Sequence, residues 1–281
     1  MKRFFIGLFM LGFVITVSNN VFAQTEEKKG TEGKRVIEEQ LVLKDPTVAA
    51  EKKWTIGGSF EYWYMIGPYN RYDSAGTMTA TGNISGDMPG GNIFVGYDNF
   101  TVQYSYRPGE FDVDSTYLGS GIKTSEKQKA KDSEITLRYL FRGKKISPYV
   151  IVGYSDISIK SRNEIKTPGA VWSYNGKTVS EHEQTYKSFL AGVGLIVPVY
   201  KEFGLRGDIR GAFTKTEEER DDGRRITGSG IGFGGTLTGY LNISKGLNLQ
   251  AGFRGLRLNG GDATWYKRYG SFASLGYTHR F

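Results

Sequence analysis

Residues 54–66 read WTIGGSFEYWYMI. Trp54, Ile56, Gly58, Phe60, Tyr62 and Tyr64 share one parity, and Thr55, Gly57, Ser59 and Glu61 share the other. A period of two marks a strand with two unlike faces. The pattern returns in FTVQYSYR (100–107), EITLRYLF (134–141), GLRGDIRGAF (204–213) and IGFGGTLTGYLNI (231–243). Tyr, Phe and Gly are abundant and there is no cysteine, a composition suited to strands, tight turns and close backbone packing.

Ten such runs predict strands near 54–65, 91–98, 100–107, 133–142, 148–160, 185–199, 204–216, 230–243, 247–258 and 269–281. Segment 148–160, PYVIVGYSDISIK, reads apolar on either face. The joins at 98–99, 143–147, 200–203 and 244–246 are brief. Those at 66–90, 108–132, 161–184, 217–229 and 259–268 are long and polar. Strict alternation of short and long joins predicts an antiparallel meander, with short turns at one rim and long loops at the other. That layout is expected of an all-β, up-and-down transmembrane β-barrel of ten strands, with eight or twelve also compatible.

The N-terminus sets the compartment. Lys2 and Arg3 precede the apolar FFIGLFMLGFVITV, and V-F-A ends at Ala23, which predicts a cleaved signal peptide over 1–23. Removing Lys2 and Arg3 lowers the formal charge from +8 to +6, too mild a balance to define a partner. No basic cluster interleaved with stacking aromatics is present, which argues against nucleic acid. Residues 24–53 hold seven acidic and seven basic side chains and no alternation, so a disordered periplasmic arm is expected there. Residues 54–281 are assigned to the barrel.

Alternation alone does not say which face points inward. Export favours a membrane barrel with its apolar face toward lipid. So does a polar face carrying Glu61, Arg138, Arg206, Asp208, Arg210 and Arg254 mid-strand, where a confined lumen would let opposite charges pair. Aromatics also gather at strand ends. Trp54, Tyr97, Phe100, Phe141, Tyr149, Tyr200 and Phe203 lie near the short turns, and Tyr64, Tyr106, Phe213, Trp265, Tyr266 and Tyr269 near the long loops. Two girdles are expected at the two interfaces of such barrels.

The last strand, SFASLGYTHRF (271–281), has Leu275, Tyr277 and Phe281 on one parity with His279 intruding. It resembles the C-terminal signal strand of Gram-negative outer-membrane β-barrel proteins. The resemblance implies outer-membrane localisation, contact with outer-membrane lipid and lipopolysaccharide, and recognition by the barrel-assembly machinery through Tyr277 and Phe281.

Chemistry is sparsely signalled. Asp112-Val113-Asp114 looks like half of the catalytic arrangement of the omptin proteases, but Asp-x-His is absent and His182 has Glu181 and Glu183 as neighbours. A lipid hydrolase would need a serine beside an oriented histidine, and neither His182 nor His279 shows one in sequence. No metal site or cofactor is indicated, and the glycine pairs do not open helices, so they are not phosphate loops. The acidic run EEERDD (217–222) could bridge divalent cations to lipopolysaccharide phosphates. The expected role is structural or a surface contact through long external loops. A narrow passive pore is the alternative and an omptin-like protease the remote one. Ligand, solute, oligomeric state and subfamily are not legible.

Overall fold

The computed structural model describes residues 54–72, 77–143, 145–171, 176–244, 246–259 and 266–281. The signal segment 1–23 and the arm 24–53 lie outside the described residues, as does Trp265. The described residues form strands β1 (Trp54–Tyr72), β2 (Met78–Tyr97), β3 (Phe100–Tyr117), β4 (Lys123–Leu140), β5 (Ser147–Ile165), β6 (Val179–Pro198), β7 (Phe203–Arg220), β8 (Arg225–Ser244), β9 (Leu247–Leu258) and β10 (Tyr266–Arg280). Each strand pairs antiparallel with its sequence neighbours, and β1 pairs with β10 from Thr55↔Arg280 to Met65↔Gly270, closing the barrel.

The near rim carries both ends of the described chain and the short turns. At its two-residue turn 98–99, Asp98 adopts φ 53°, a left-handed conformation that Asp tolerates by bonding locally. The far rim differs from expectation. The predicted long loops 66–90, 108–132 and 217–229 are mostly strand, 161–184 is strand at 161–165 and 179–184, and the connections shrink to 118–122 between β3 and β4 and 221–224 between β7 and β8.

Strands β1 to β8 are therefore about twice as long as a bilayer requires, since a crossing takes about 9–11 tilted residues, while β9 has 12 residues and β10 has 15. Their outward faces divide at mid-height. Near the near rim these faces are apolar: Phe60, Ile93, Val102, Leu137, Val152, Val193, Ile209, Leu237 and Leu275 all project outward and exposed. Aromatics edge this belt. Trp54 packs on Tyr97 with ring centroids 4.8 Å apart, and Phe100 on Tyr139 at the same separation. From Trp54 to Tyr64, a strand tilted as in such barrels rises about 25 Å, the height of a hydrocarbon band. Tyr149 departs from the expected girdle: it points into the lumen and is buried.

Above the belt the outward face turns ionic. Glu110 on β3 pairs with Lys129 on β4 at 3.4 Å, Lys160 on β5 with Glu183 on β6 at 3.2 Å, and Arg162 with Glu181 at 3.7 Å. Exposed pairs of this kind contribute little each, about 0.2–1 kcal/mol. Their weight is in exclusion, because charges on a lipid-facing wall are costly. This half of the barrel extends roughly 20 Å past the apolar belt, from its residue count and tilt.

Candidate functional site: the lumen

The lumen inverts at the same height as the wall, and it is layered. In the projecting half many inward residues are apolar, while polar ones such as Glu126, Gln184 and Glu218 gather toward the far mouth. Trp63, Met65, Met88, Phe111, Val113, Ile157, Ile159, Tyr186, Leu190, Leu258 and Phe272 form one buried cluster across the cylinder. The expectation that the polar face lines the whole interior is thus corrected. Where the outside meets water, the apolar side chains turn inward, as in a soluble barrel. This also resolves segment 148–160. Val150, Val152 and Tyr154 face outward in the belt, while Ile151, Ile157 and Ile159 face inward and are buried.

Beneath the apolar cluster lies an ionic layer. Arg254 grips Glu61 through both guanidinium nitrogens, one contact being 3.1 Å and the other shorter. Arg107 donates from Nε to Asp132 at 3.0 Å, with Glu134 at 3.7 Å and Glu61 at 4.0 Å. Arg210 joins Glu134 at 2.8 Å to Asp208 at 2.7 Å. Tyr149 Oη donates to the second oxygen of Asp208 at 3.0 Å. The chain of pairs reaches from β9 and β1 through β3 and β4 to β7 and β5. The Arg254 guanidinium also sits 5.5 Å from the Trp63 ring centre and 4.9 Å from that of Phe272, tying the ionic layer to the apolar one above.

Glu61, Arg138, Arg206, Asp208, Arg210 and Arg254 line the cavities of the lumen. Glu61 with Arg254, and Asp208 with Arg210, are direct ion pairs. Arg206 instead donates to Gln250 at 3.2 Å, and Arg138 lies 5.0 Å above the Tyr149 ring. Three central members, Arg107, Asp132 and Glu134, were not singled out from sequence. Arg107 and Glu134 sit on polar faces of recognised runs, while Asp132 fell in a presumed loop.

Asp112 and Asp114 lie outward and exposed on β3, whereas His182 lies inward on β6, so these three do not converge. His182 Nε2 stands 3.8 Å from Glu126 at the far mouth. Register sets Ser161 directly opposite His182, a neighbour the sequence could not reveal. The buried Ser161 Oγ makes no hydrogen bond, so His182 does not activate this serine. Also at this mouth, Glu218 accepts from Arg220 at 2.7 Å and from Gln184 at 3.1 Å. Burial alone would raise the Glu218 pKa, but the Arg220 hydrogen bond and charge outweigh it and hold it below the ordinary carboxylate range. A depressed carboxylate stabilises the fold above its unfolded pKa and loses that contribution as pH falls through the folded value. Glu218→Gln is therefore expected to lower the urea midpoint near neutrality and to converge on the parent as pH falls, which flattens the acid limb.

The fold and its layered lumen define a closed ten-stranded transmembrane β-barrel. No family model matches the chain, and no curated protein matches it in sequence. Among solved structures, the outer membrane protease OmpT from Escherichia coli is similar with a TM-score of 0.54 at 10% identity, covering 83% of this chain and 99% of that one. The translocator domain of autotransporter NalP from Neisseria meningitidis gives 0.44 at 12% identity, covering 87% and 94%. The outer membrane protein OprG from Pseudomonas aeruginosa gives 0.37 at 10%, covering 81% and 96%. At such identities the OmpT likeness is one of fold alone.

Proposed function

We propose that the protein is an electrically closed outer-membrane barrel that works as a structural and surface-contact element through its projecting half. One observation carries this reading: two layers of side chains lie in series in the lumen, the ionic layer from Glu61 to Asp208 and the apolar cluster around Trp63 and Phe272. An ion crossing the lumen would have to strip its hydration against the apolar layer, at high cost. The narrow-pore alternative requires an open path through both layers.

The contact surface in this reading is the rigid strand wall more than the loops. Its charge runs in stripes: Glu110, Asp112 and Asp114 on β3, then Lys127, Lys129 and Lys131 on β4 beside Lys160 and Arg162 on β5, then Glu181 and Glu183 on β6. The basic stripe begins just above the apolar Ile135 and Tyr154, the height at which lipopolysaccharide phosphates would lie. Delivery would follow from cleavage after Ala23 and from recognition of the last strand by the assembly machinery. Tyr277 and Phe281 are both outward and exposed, and the edge of the His279 ring packs on Phe281 at 4.7 Å.

Conductance tests the reading directly. Purified protein inserted in a planar bilayer is expected to give no discrete current steps in salt. Stable ohmic steps from properly folded protein would reject the closed barrel in favour of the pore.

A further inference from the structure

The near-rim half of the lumen is not filled. A cavity of about 170 Å³ lies between the ionic layer and the rim residues Asp98, Asn99 and Thr278. Amides furnish much of its wall, including Asn92, Gln103, Asn248 and Gln250, and its inner end carries Arg138 and Arg206.

These two arginines differ from the rest of the layer. Arg107, Arg210 and Arg254 each hold a carboxylate. Glu61, Asp132, Glu134 and Asp208 are all engaged by those three. Arg138 and Arg206 have no carboxylate within ion-pair distance among the described residues. Nε of Arg138 is buried without a hydrogen-bond partner. Five arginines thus face four carboxylates, and the excess positive charge sits at the cavity.

The same wall holds unused donors. Tyr240 is 6% exposed and Asn242 5%, and both Tyr240 Oη and Asn242 Nδ2 lack any partner. Tyr240 has little freedom to turn away, because its ring lies on Gly204, where a Cβ would come within 2.1 Å of the hydroxyl. Asn99 Oδ1 is an orphaned acceptor of this wall, and rotating its amide would offer a donor instead. The other acid at the rim, Asp98, is already paired with Arg142. Buried donors and unpaired cations gathered at one cavity call for a ligand that brings only acceptors and negative charge.

We propose that this cavity is an oxyanion site, open to the near rim, that takes the carboxylate or phosphate group of a small molecule on Arg138 and Arg206 with Tyr240 and Asn242 as further donors. The guanidinium pair is suited to a planar or tetrahedral oxyanion, which can accept from both arginines at once. The site needs no conduction and stands whether or not the lumen proves closed.

Calorimetric titration of the detergent-purified full chain tests it, with sodium phosphate and sodium acetate as separate arms at constant ionic strength. Saturable binding in at least one arm is expected, and the arm that saturates identifies the headgroup. Arg138→Gln and Arg206→Gln should each weaken it at least tenfold, and Tyr240→Phe severalfold. In buffer holding neither phosphate nor carboxylate both arginine variants should resist urea about as well as the parent, because neither arginine holds a carboxylate of the protein. Absence of saturable heat in both arms, or unchanged affinity in both arginine variants, overturns the site. So does a clear loss of stability in both arginine variants without anion, which would make the arginines structural.

Discussion

Arg254→Met is expected to lower the unfolding free energy of the barrel by about 3–5 kcal/mol, the cost of leaving a buried charge without its partner. Glu61 is 5% exposed, and Arg254 is its bidentate partner. Once Arg254 is gone, the nearest remaining cation is Arg107 at 4.0 Å, already committed to Asp132 and Glu134. Glu61→Gln alone should also destabilise, since it strands Arg254 beneath the rings of Trp63 and Phe272. The double variant Glu61→Gln, Arg254→Met should recover most of the loss. A buried pair exchanged for neutral groups of similar volume is often close to neutral or even stabilising. Urea titration in detergent reads all three variants, and the Trp63 ring beside Arg254 supplies a local fluorescence signal. If the double variant is as unstable as the worse single one, the residues act through packing and not as an ion pair.

That pair also shows what could be read from the chain and what could not. Both residues stand on the polar parity of recognisable strands, so their luminal placement follows from a period of two. Their partnership does not, because 193 positions separate them and only closure of β1 on β10 brings β9 alongside. The membrane half of each strand was legible because one face is apolar and the other polar. The projecting half was not. In KTSEKQKAKD (123–132), Lys123, Lys127, Lys129 and Lys131 face outward, yet Thr124, Glu126, Gln128 and Asp132 face inward and are polar too. With no contrast between its faces such a strand reads as loop, and only pairing along β3 and β5 reveals it. The apolar core of the projecting half was hidden for a related reason. Its members arrive singly, as Met88, Phe111, Ile157 or Leu258, on strands whose neighbouring inward positions are often Gly, Ser or charged.

The division of the outer wall into two zones carries the second large expectation. Leu237 lies on β8 within the apolar belt, 60% exposed and paired across to Phe253 on β9. Thr227 lies on the same strand and the same outward parity, ten positions nearer the far rim, opposite Glu217. Leu237→Arg should cost about 2–4 kcal/mol in a lipid bilayer, the range for an arginine near the midplane of a barrel's lipid face. Thr227→Arg should change stability by no more than about 0.5 kcal/mol, as on an ordinary wet surface. Folding titrations into vesicles would measure both, and a gel shift between folded and heat-unfolded forms would confirm assembly. The contrast isolates the environment, since strand, face and introduced side chain are the same and only height differs. A water-soluble barrel would tolerate the two changes alike, and one inserted with the charged half in the bilayer would reverse their order of cost. Equal costs at the two positions would therefore move the bilayer away from the belt bounded by Trp54 and Tyr64, and the assignment of a projecting wall would go with it.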